Sequence, residues 1–168
     1  EVGSGRGGGA SYIKRYLHPM SMIGVDFSER AINFCRERHQ MEGLSFTQGD
    51  AESLPFDDAS QDAVVFHQVL HYAEEPASAI TEAARVLRPG GPLLVIDFAP
   101  HEQRILIEEH AHHRLGLAEE EVAAWCESAG LRSELARELK GEPLTVNVWL
   151  ASHISLPLSS AGSEIAPV

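Results

Sequence analysis

The chain has 168 residues, with 13 basic against 25 acidic side chains, a formal charge of −12, 43% hydrophobic and 23% charged residues. That composition fits one globular domain with a proper core, and it argues against a nucleic-acid partner or an anionic membrane surface, either of which would call for a basic footprint. Cys35 and Cys126 make no disulfide framework, no run nears the roughly 18 apolar residues of a membrane span, and no signal peptide is read, so a reducing cytoplasm is the expected setting.

The chain opens on Glu1-Val2-Gly3-Ser4-Gly5-Arg6-Gly7-Gly8-Gly9. An acidic residue and alternating glycines ahead of a helical pattern read as a tight turn from a strand end into a helix. Glycine reaches positive φ without a Cβ penalty and leaves bare backbone for a ligand. The helix that follows offers unpaired N–H groups and a positive dipole end. The stretch therefore reads as a nucleotide-type cofactor loop.

Tyr12, Ile13, Tyr16 and Leu17 fall at helical spacing, which predicts a helix over 9–17 that Pro19 ends. Residues 21–26 form an apolar run finishing in Asp26, as a buried parallel strand does. Ser28 is a fitting N-cap for a helix running to about Met41, with Gly43 as its stop. A strand is predicted over 44–48, opening into Gly49-Asp50-Ala51-Glu52, and a polar loop over 53–61. Asp57 and Asp58 read as surface charge there. The next strand, 63–66, leads into His67-Gln68-Val69-Leu70-His71-Tyr72.

Pro76 suits the first turn of a helix that runs to Leu87, broken by Pro89-Gly90-Gly91. A strand over 93–98 carries Asp97 near its end. Residues 101–113 read as a polar, histidine-rich helix and 119–128 as a shorter one closed by Gly130. His110, His112 and His113 beside Glu108 and Glu109 raise a metal site, but a solvated helix accounts for them better, so no metal is expected. Two strands, 131–139 and 144–151, join as an antiparallel hairpin across Lys140-Gly141-Glu142-Pro143. Trp125 and Trp149 read as core, and Cys35 as a small buried hydrophobe. From Ser152 the composition turns to Ser, Ala, Gly and Pro, which predicts a disordered tail over 152–168.

Strands alternating with helices predict an α/β fold of Rossmann-like, doubly wound type, mostly parallel, with a C-terminal antiparallel hairpin. In such sheets the ligand lies beyond the carboxyl ends of the strands. The glycines, Asp26, Asp50, His67 and Asp97 all follow strands, which places them at one cleft.

Gly3-x-Gly5-x-x-Gly8 alone also fits the dinucleotide fingerprint. With Asp26 ending the second strand, Gly49-Asp50-Ala51-Glu52-Ser53-Leu54-Pro55-Phe56 after the third, and Arg85-Val86-Leu87-Arg88-Pro89-Gly90-Gly91 before the fifth, the set resembles the class I S-adenosylmethionine-dependent methyltransferases over about residues 1–151. Residues 1–62 are similar to the small-molecule enzymes acting on lipids, quinones and polyketide-type phenols. From about 66 onward the chain, with Phe66-His67-Gln68-Val69-Leu70-His71-Tyr72 and Asp97-Phe98-Ala99-Pro100-His101-Glu102, is similar to methyltransferase domains fused to metalloregulator-type winged-helix proteins.

The resemblance implies S-adenosylmethionine as cofactor and a small-molecule methyl acceptor. Glu1 with Gly3, Gly5 and Gly7 would frame its methionine part, Asp26 would hold the ribose, and Phe27 would pack on the adenine. Asp50 would accept from the adenine amino group, Ala51 would give a backbone contact, and His67 would line the methionine or substrate side. His71 and His67 are the candidates for a general base where the acceptor must lose a proton, with Tyr72 or His101 helping to position it. By the same resemblance the first strand is cut to about two residues and the upstream helices and lid are missing, an amino-terminally truncated domain. Its exposed sheet edge would invite a homodimer. The alternative is a cofactor-binding or regulatory domain without turnover. A nicotinamide-dependent oxidoreductase is disfavoured by the placement of Gly49-Asp50-Ala51 and Pro89-Gly90-Gly91.

Overall fold

In the computed structural model, which describes residues 1–154, helices and strands alternate along the chain. The strands are β1 (Met22–Asp26), β2 (Leu44–Gln48), β3 (Val64–His67), β4 (Leu93–Phe98), β5 (Leu131–Leu139) and β6 (Val146–His153). The helices are α1 (Gly8–Leu17), α2 (Glu29–Arg38), α3 (Pro76–Val86), α4 (Ile105–His110) and α5 (Glu119–Ser128), with a 3₁₀ turn at Leu70–Tyr72.

β1 pairs with β2 in parallel, and β3 with β4 in parallel. β6 inserts antiparallel between β4 and β5, giving a block ordered β3-β4-β6-β5. One residue joins this block to the β1–β2 pair. Val2 bridges in parallel to both Val25 and Phe66, donating its N–H to Val65 O at 2.9 Å, while Val25 N donates to Glu1 O at 2.8 Å. The short segment ahead of the glycine loop is thus the sheet's centre, and Val2 is buried there.

Period-two burial decides what each strand faces. Val64 and Phe66, Leu93, Val95 and Asp97, and Asn147, Trp149 and Ala151 all point to one buried face. The core on that face includes Ala79, Ile80, Ala83 and Val86 of α3 and Val122 and Cys126 of α5. A smaller cluster of Ala10, Ile32, Cys35 and Phe46 packs α1 and α2 on the β1–β2 pair. The other face of the second block, with Val65, Leu94, Ile96 and Leu150, is covered less completely and lines a groove beside α1.

Several predicted boundaries move, for local reasons. α2 stops at Arg38 rather than Met41, because His39 leaves helical geometry and its ring reaches Arg6 O at 2.8 Å. The predicted helix over 101–113 shrinks to the six residues of α4: Ala111 turns left-handed (φ 56) and swings His112 inward. The second hairpin strand begins at Val146, not at Leu144, and runs on to His153. Ser152 and His153, placed in the expected tail, are therefore strand; the tail from 155 onward lies outside the described residues.

Candidate functional site

The carboxyl ends of Val2, β1, β2, β3 and β4 gather the predicted polar residues at one end of the sheet. The glycine loop is built as the sequence requires: Gly3, Gly5 and Gly7 have φ of 69°, 50° and 77°. Their reasons for being glycine differ. A Cβ on Gly3 would run into the Val69 side chain, and one on Gly7 into His39, Phe46 and Cys35. At Gly5 and Gly8 a Cβ would meet nothing within 4 Å, so bare backbone there faces open space. Gly7 heads α1 with no side-chain cap, which leaves first-turn N–H groups available to a ligand.

Asp26 locks this loop to the next one. Its Oδ2 accepts from Gly5 N at 2.8 Å and its Oδ1 from Ser28 N at 2.9 Å. Each carboxylate oxygen keeps further lone-pair capacity for a donor outside. The loops after β1 and β2 are tied together by Gly49 N to Asp26 O at 3.0 Å and Gln48 Nε2 to Phe27 O at 2.9 Å. Asp50 stands exposed beside them, its Oδ1 accepting from Glu52 N at 2.9 Å, and Ala51 is half-buried. Phe27 is 78% exposed and rests on no core residue.

Glu1 is the unexpected part of the site. Its side chain is 3% exposed and sits against Gly9 in the first turn of α1, where the helix's positive end favours a carboxylate. Oε1 lies 3.7 Å from His67 Nδ1, while Oε2 is buried with no hydrogen-bond partner. Ser4 Oγ is likewise buried and unpartnered. Buried polar atoms are nearly always satisfied, so these two oxygens each call for a partner that the described residues do not supply. The Glu1 carboxylate beside it holds the half-exposed His67 imidazole above its ordinary pKa, against the opposing effect of burial.

His71 lies elsewhere than expected. Its ring is buried, 1% exposed, and its Nδ1–H donates to Asp97 Oδ1 at 2.6 Å. Asp97, fully buried, also takes Phe98 N at 2.8 Å on Oδ1, and Leu70 N at 3.0 Å and His71 N at 3.3 Å on Oδ2. In this arrangement His71 does not face the cleft; it pins the turn after β3 to the end of β4. Tyr72 is half-exposed beside it, and His101 packs edge-on to Phe98. His67, at the end of β3, is the histidine that faces the glycine loop.

His112 was read as part of a solvated helix and is instead 6% exposed. Its ring lies 4.1 Å from that of His71 and 4.8 Å from that of Tyr72. Among the described residues no group of three or more His, Cys, Asp or Glu is disposed to hold a metal. No helix among them is long and apolar enough to cross a membrane. Sequence reasoning also missed the organising role of Asp97, although the alternation Leu93, Val95, Asp97 already pointed a carboxylate inward and called for a partner.

A groove of about 1090 Å³ runs from Glu1, Gly9 and His67 along the less covered sheet face, past Leu94 and Ile96, to Met20 at its far end. Its walls are mostly apolar, and its polar end abuts the glycine loop.

Residues 1–95 match the family described as a methyltransferase domain. Over 100 residues the chain is 49% identical to a fatty-acid O-methyltransferase of Mycolicibacterium smegmatis, a match covering 60% of this chain and 36% of that protein. Over 103 residues it is 46% identical to phthiotriol/phenolphthiotriol dimycocerosates methyltransferase 1 of Mycobacterium ulcerans, covering 61% of this chain and 38% of that protein. The matched region thus spans little more than a third of these curated relatives. The YcgJ protein of Bacillus subtilis superposes with a TM-score of 0.79 at 20% identity, covering 92% of this chain and 91% of that one, a likeness of fold.

Proposed function

This chain belongs to the methyltransferase-domain family, the class I S-adenosylmethionine-dependent group, and on that premise we propose that it transfers a methyl group from S-adenosylmethionine to a small, lipid-like acceptor. The observation that carries the cofactor half is the pair of buried, unpartnered oxygens, Glu1 Oε2 and Ser4 Oγ, set in a glycine loop whose Gly5 and Gly8 face open space. A carboxylate there fits an ammonium group, and bare backbone fits close approach. Asp26, oriented by Gly5 N and Ser28 N, is the acceptor for two ribose hydroxyls. Asp50 would take the adenine amino group with Ala51 offering backbone, and Phe27, exposed in the same loop, is available to cover the ring.

Bound there, the cofactor supplies a methyl already activated on a sulfonium. The protein's own task is therefore alignment, close approach of about 3 Å and exclusion of water. His67 faces this end, but the Glu1 carboxylate that raises its pKa leaves less of it free as a base near neutrality. Its better role is to orient the acceptor. His71 acts through Asp97 as a positioning residue. The lipid-like acceptor is supported by the chain's relatives, a fatty-acid O-methyltransferase and a phthiotriol/phenolphthiotriol dimycocerosates methyltransferase, and by the apolar groove that ends at His67.

A second reading has its own observation. His71 is buried against Asp97 and the Glu1 carboxylate holds His67 toward its protonated form, so neither is a free base, which fits a domain that binds the cofactor without turning it over. Calorimetric titration of S-adenosylhomocysteine into the wild type and Asp26→Ala tests the shared cofactor site. Saturable one-to-one binding, lost in the variant, is expected; equal binding by both would remove Asp26 from the site. Labelled-methyl transfer to a panel of fatty acids and phenols then separates the readings, since binding without any labelled product favours the second.

A further inference from the structure

Residues 99–116 leave the end of β4, cross the 3₁₀ turn and return to start α5. The neck of this excursion is closed: Leu117 N donates to Phe98 O at 2.8 Å, His101 N to Leu115 O at 3.1 Å, and Gly116 lies so close to Ala99 O that no side chain would fit. Beyond the neck, ordinary core burial is scarce. α4 has no buried residue, and its Ile105 and Ile107 are 49% and 45% exposed. The excursion is fastened to the body by backbone bonds from His113 N to His71 O at 2.9 Å and from the Arg114 guanidinium to Ala73 O and Glu74 O at 3.4 and 3.3 Å. It is also fastened by one inserted ring.

That ring is His112. It enters a cage of His71, Tyr72 and Phe98, with centroids at 4.1, 4.8 and 6.1 Å, and its Nδ1 is buried with no hydrogen-bond partner. The same stretch of chain lies at the carboxyl ends of β3 and β4, and none of it lines the groove. We propose that residues 99–116 form a flap over the carboxyl ends of β3 and β4, held shut by the neutral imidazole of His112 and released when that imidazole takes a proton.

The physical reason is desolvation. A neutral imidazole sits in the aromatic cage at little cost, whereas an imidazolium there has no acceptor for its Nδ1–H and three other histidines near it. The titratable groups facing His112 are His71 and Tyr72 from the 3₁₀ turn, Asp97 from the end of β4, His101 from the first limb of the flap and His110 from α4; His113 and Arg114 follow it in the chain. Burial, then His71 and His101, push its pKa below the ordinary value, with Asp97 opposing. Asp97 cannot rescue the cation, because its oxygens are spent on His71, Leu70 and Phe98. His101 is pushed down as well, by burial and by His71, so acid loads a second proton onto the same cage.

The sign follows from linkage. A histidine with a depressed closed-state pKa contributes full closure above its open-state value of about 6.5, and that contribution is lost as pH falls from there through the depressed value. Below about 6.5 each pH unit can multiply the open-to-closed ratio by up to about ten. The flap rests on the methyltransferase reading only for what lies beneath it, and its test uses no cofactor, so the two can fail separately.

The experiment is hydrogen exchange of the full chain between pH 7.5 and 5, corrected for intrinsic exchange rates, with β3 and β4 amides reporting global folding. Expected is loss of protection confined to 99–116 as pH falls below about 6.5, by up to about tenfold per pH unit, together with a His112 NMR titration shifted below the ordinary value. His112→Phe keeps a ring but carries no proton, and His112→Gln removes titration without adding bulk; in both, the loss of flap protection with acid should be much smaller than in the wild type, and absent once His101→Gln is added. His113→Gln should behave as wild type. Wild-type protection of 99–116 that is constant from pH 7.5 to 5 would overturn the proposal. So would His112→Gln or His112→Phe that opens with acid as the wild type does.

Discussion

Replacing Asp97 by Asn tests the claim that one buried carboxylate fixes the cofactor end of the sheet. Asp97 is 0% exposed and accepts four hydrogen bonds, two on each oxygen. An amide has one oxygen. Whichever way it is turned, its NH₂ confronts two donors, either Leu70 N and His71 N or Phe98 N and His71 Nδ1–H. Two buried donors then lack an acceptor, at about 1–3 kcal/mol each, so the total falls at roughly 2–6 kcal/mol. Against a domain stability of about 5–15 kcal/mol that is a large fraction. At about 2–4 °C per kcal/mol for a chain near this size, the midpoint should drop by roughly 10 °C. Urea unfolding followed by circular dichroism measures it directly. His71→Phe in the same background should be less than additive, because it removes one of the stranded donors. An Asp97→Asn protein within about 0.5 kcal/mol of wild type would refute the reasoning.

Three further outcomes are expected. His67 should titrate above its ordinary value of about 6.5 in an NMR pH series, and Glu1→Gln should lower it; the stabilisation it lends the loop is full below about 6.5 and lost as pH rises through the raised value. Gly3→Ala should cost about 3 kcal/mol in thermal unfolding, from its φ of 69° plus overlap with Val69, whereas Gly5→Ala, with open space around it, should cost only about 1 kcal/mol yet weaken S-adenosylhomocysteine binding about tenfold or more. Burial, with Asp26 and Glu1 adding to it, pushes the Cys35 thiol up, so a thiol reagent at pH 8 should label the folded chain slowly and the urea-unfolded chain fast.

The cofactor side of this molecule was legible because its demands act on the backbone. Alternate glycines before a helix, a carboxylate ending the next strand, and Gly49-Asp50 after the third are local rules, and the structure places all of them at one end of one sheet. The two sets of glycines were not separable in the sequence: Gly3 and Gly7 are small for packing against Val69 and Phe46, a contact between distant segments. The other side was misread for the same kind of reason. Histidines at 110, 112 and 113 fit a solvated helix by spacing, yet a single left-handed residue at Ala111 turns His112 inward among His71, Tyr72 and Phe98. Nothing within ten residues announces that cage, since its walls come from β4 and the turn after β3. The one available signal was Asp97, whose inward register obliged something polar to meet it.

Binding and turnover make separate physical demands here, and the structure meets them unequally. On the proposed reading the cofactor's polar contacts need only the loop, β1 and β2, which Asp26 knits together through Gly5, Ser28 and Gly49. Methyl transfer further needs a dry, aligned approach past His67, and that approach is bounded by the groove on one side and by the 99–116 excursion on the other. Among the described residues the 99–116 excursion shares no hydrogen bond with the Asp26 corner, whereas the groove meets it through Glu1, which bonds to Ile23 and Val25 of β1. Changes to the cofactor corner should therefore move affinity for S-adenosylhomocysteine, while changes at Asp97, His71 or His112 should move the rate of any transfer and leave that affinity nearly intact so long as the chain stays folded. A single substitution at His112 that abolished cofactor binding in a folded protein would mean that the two halves of the site are one cooperative unit.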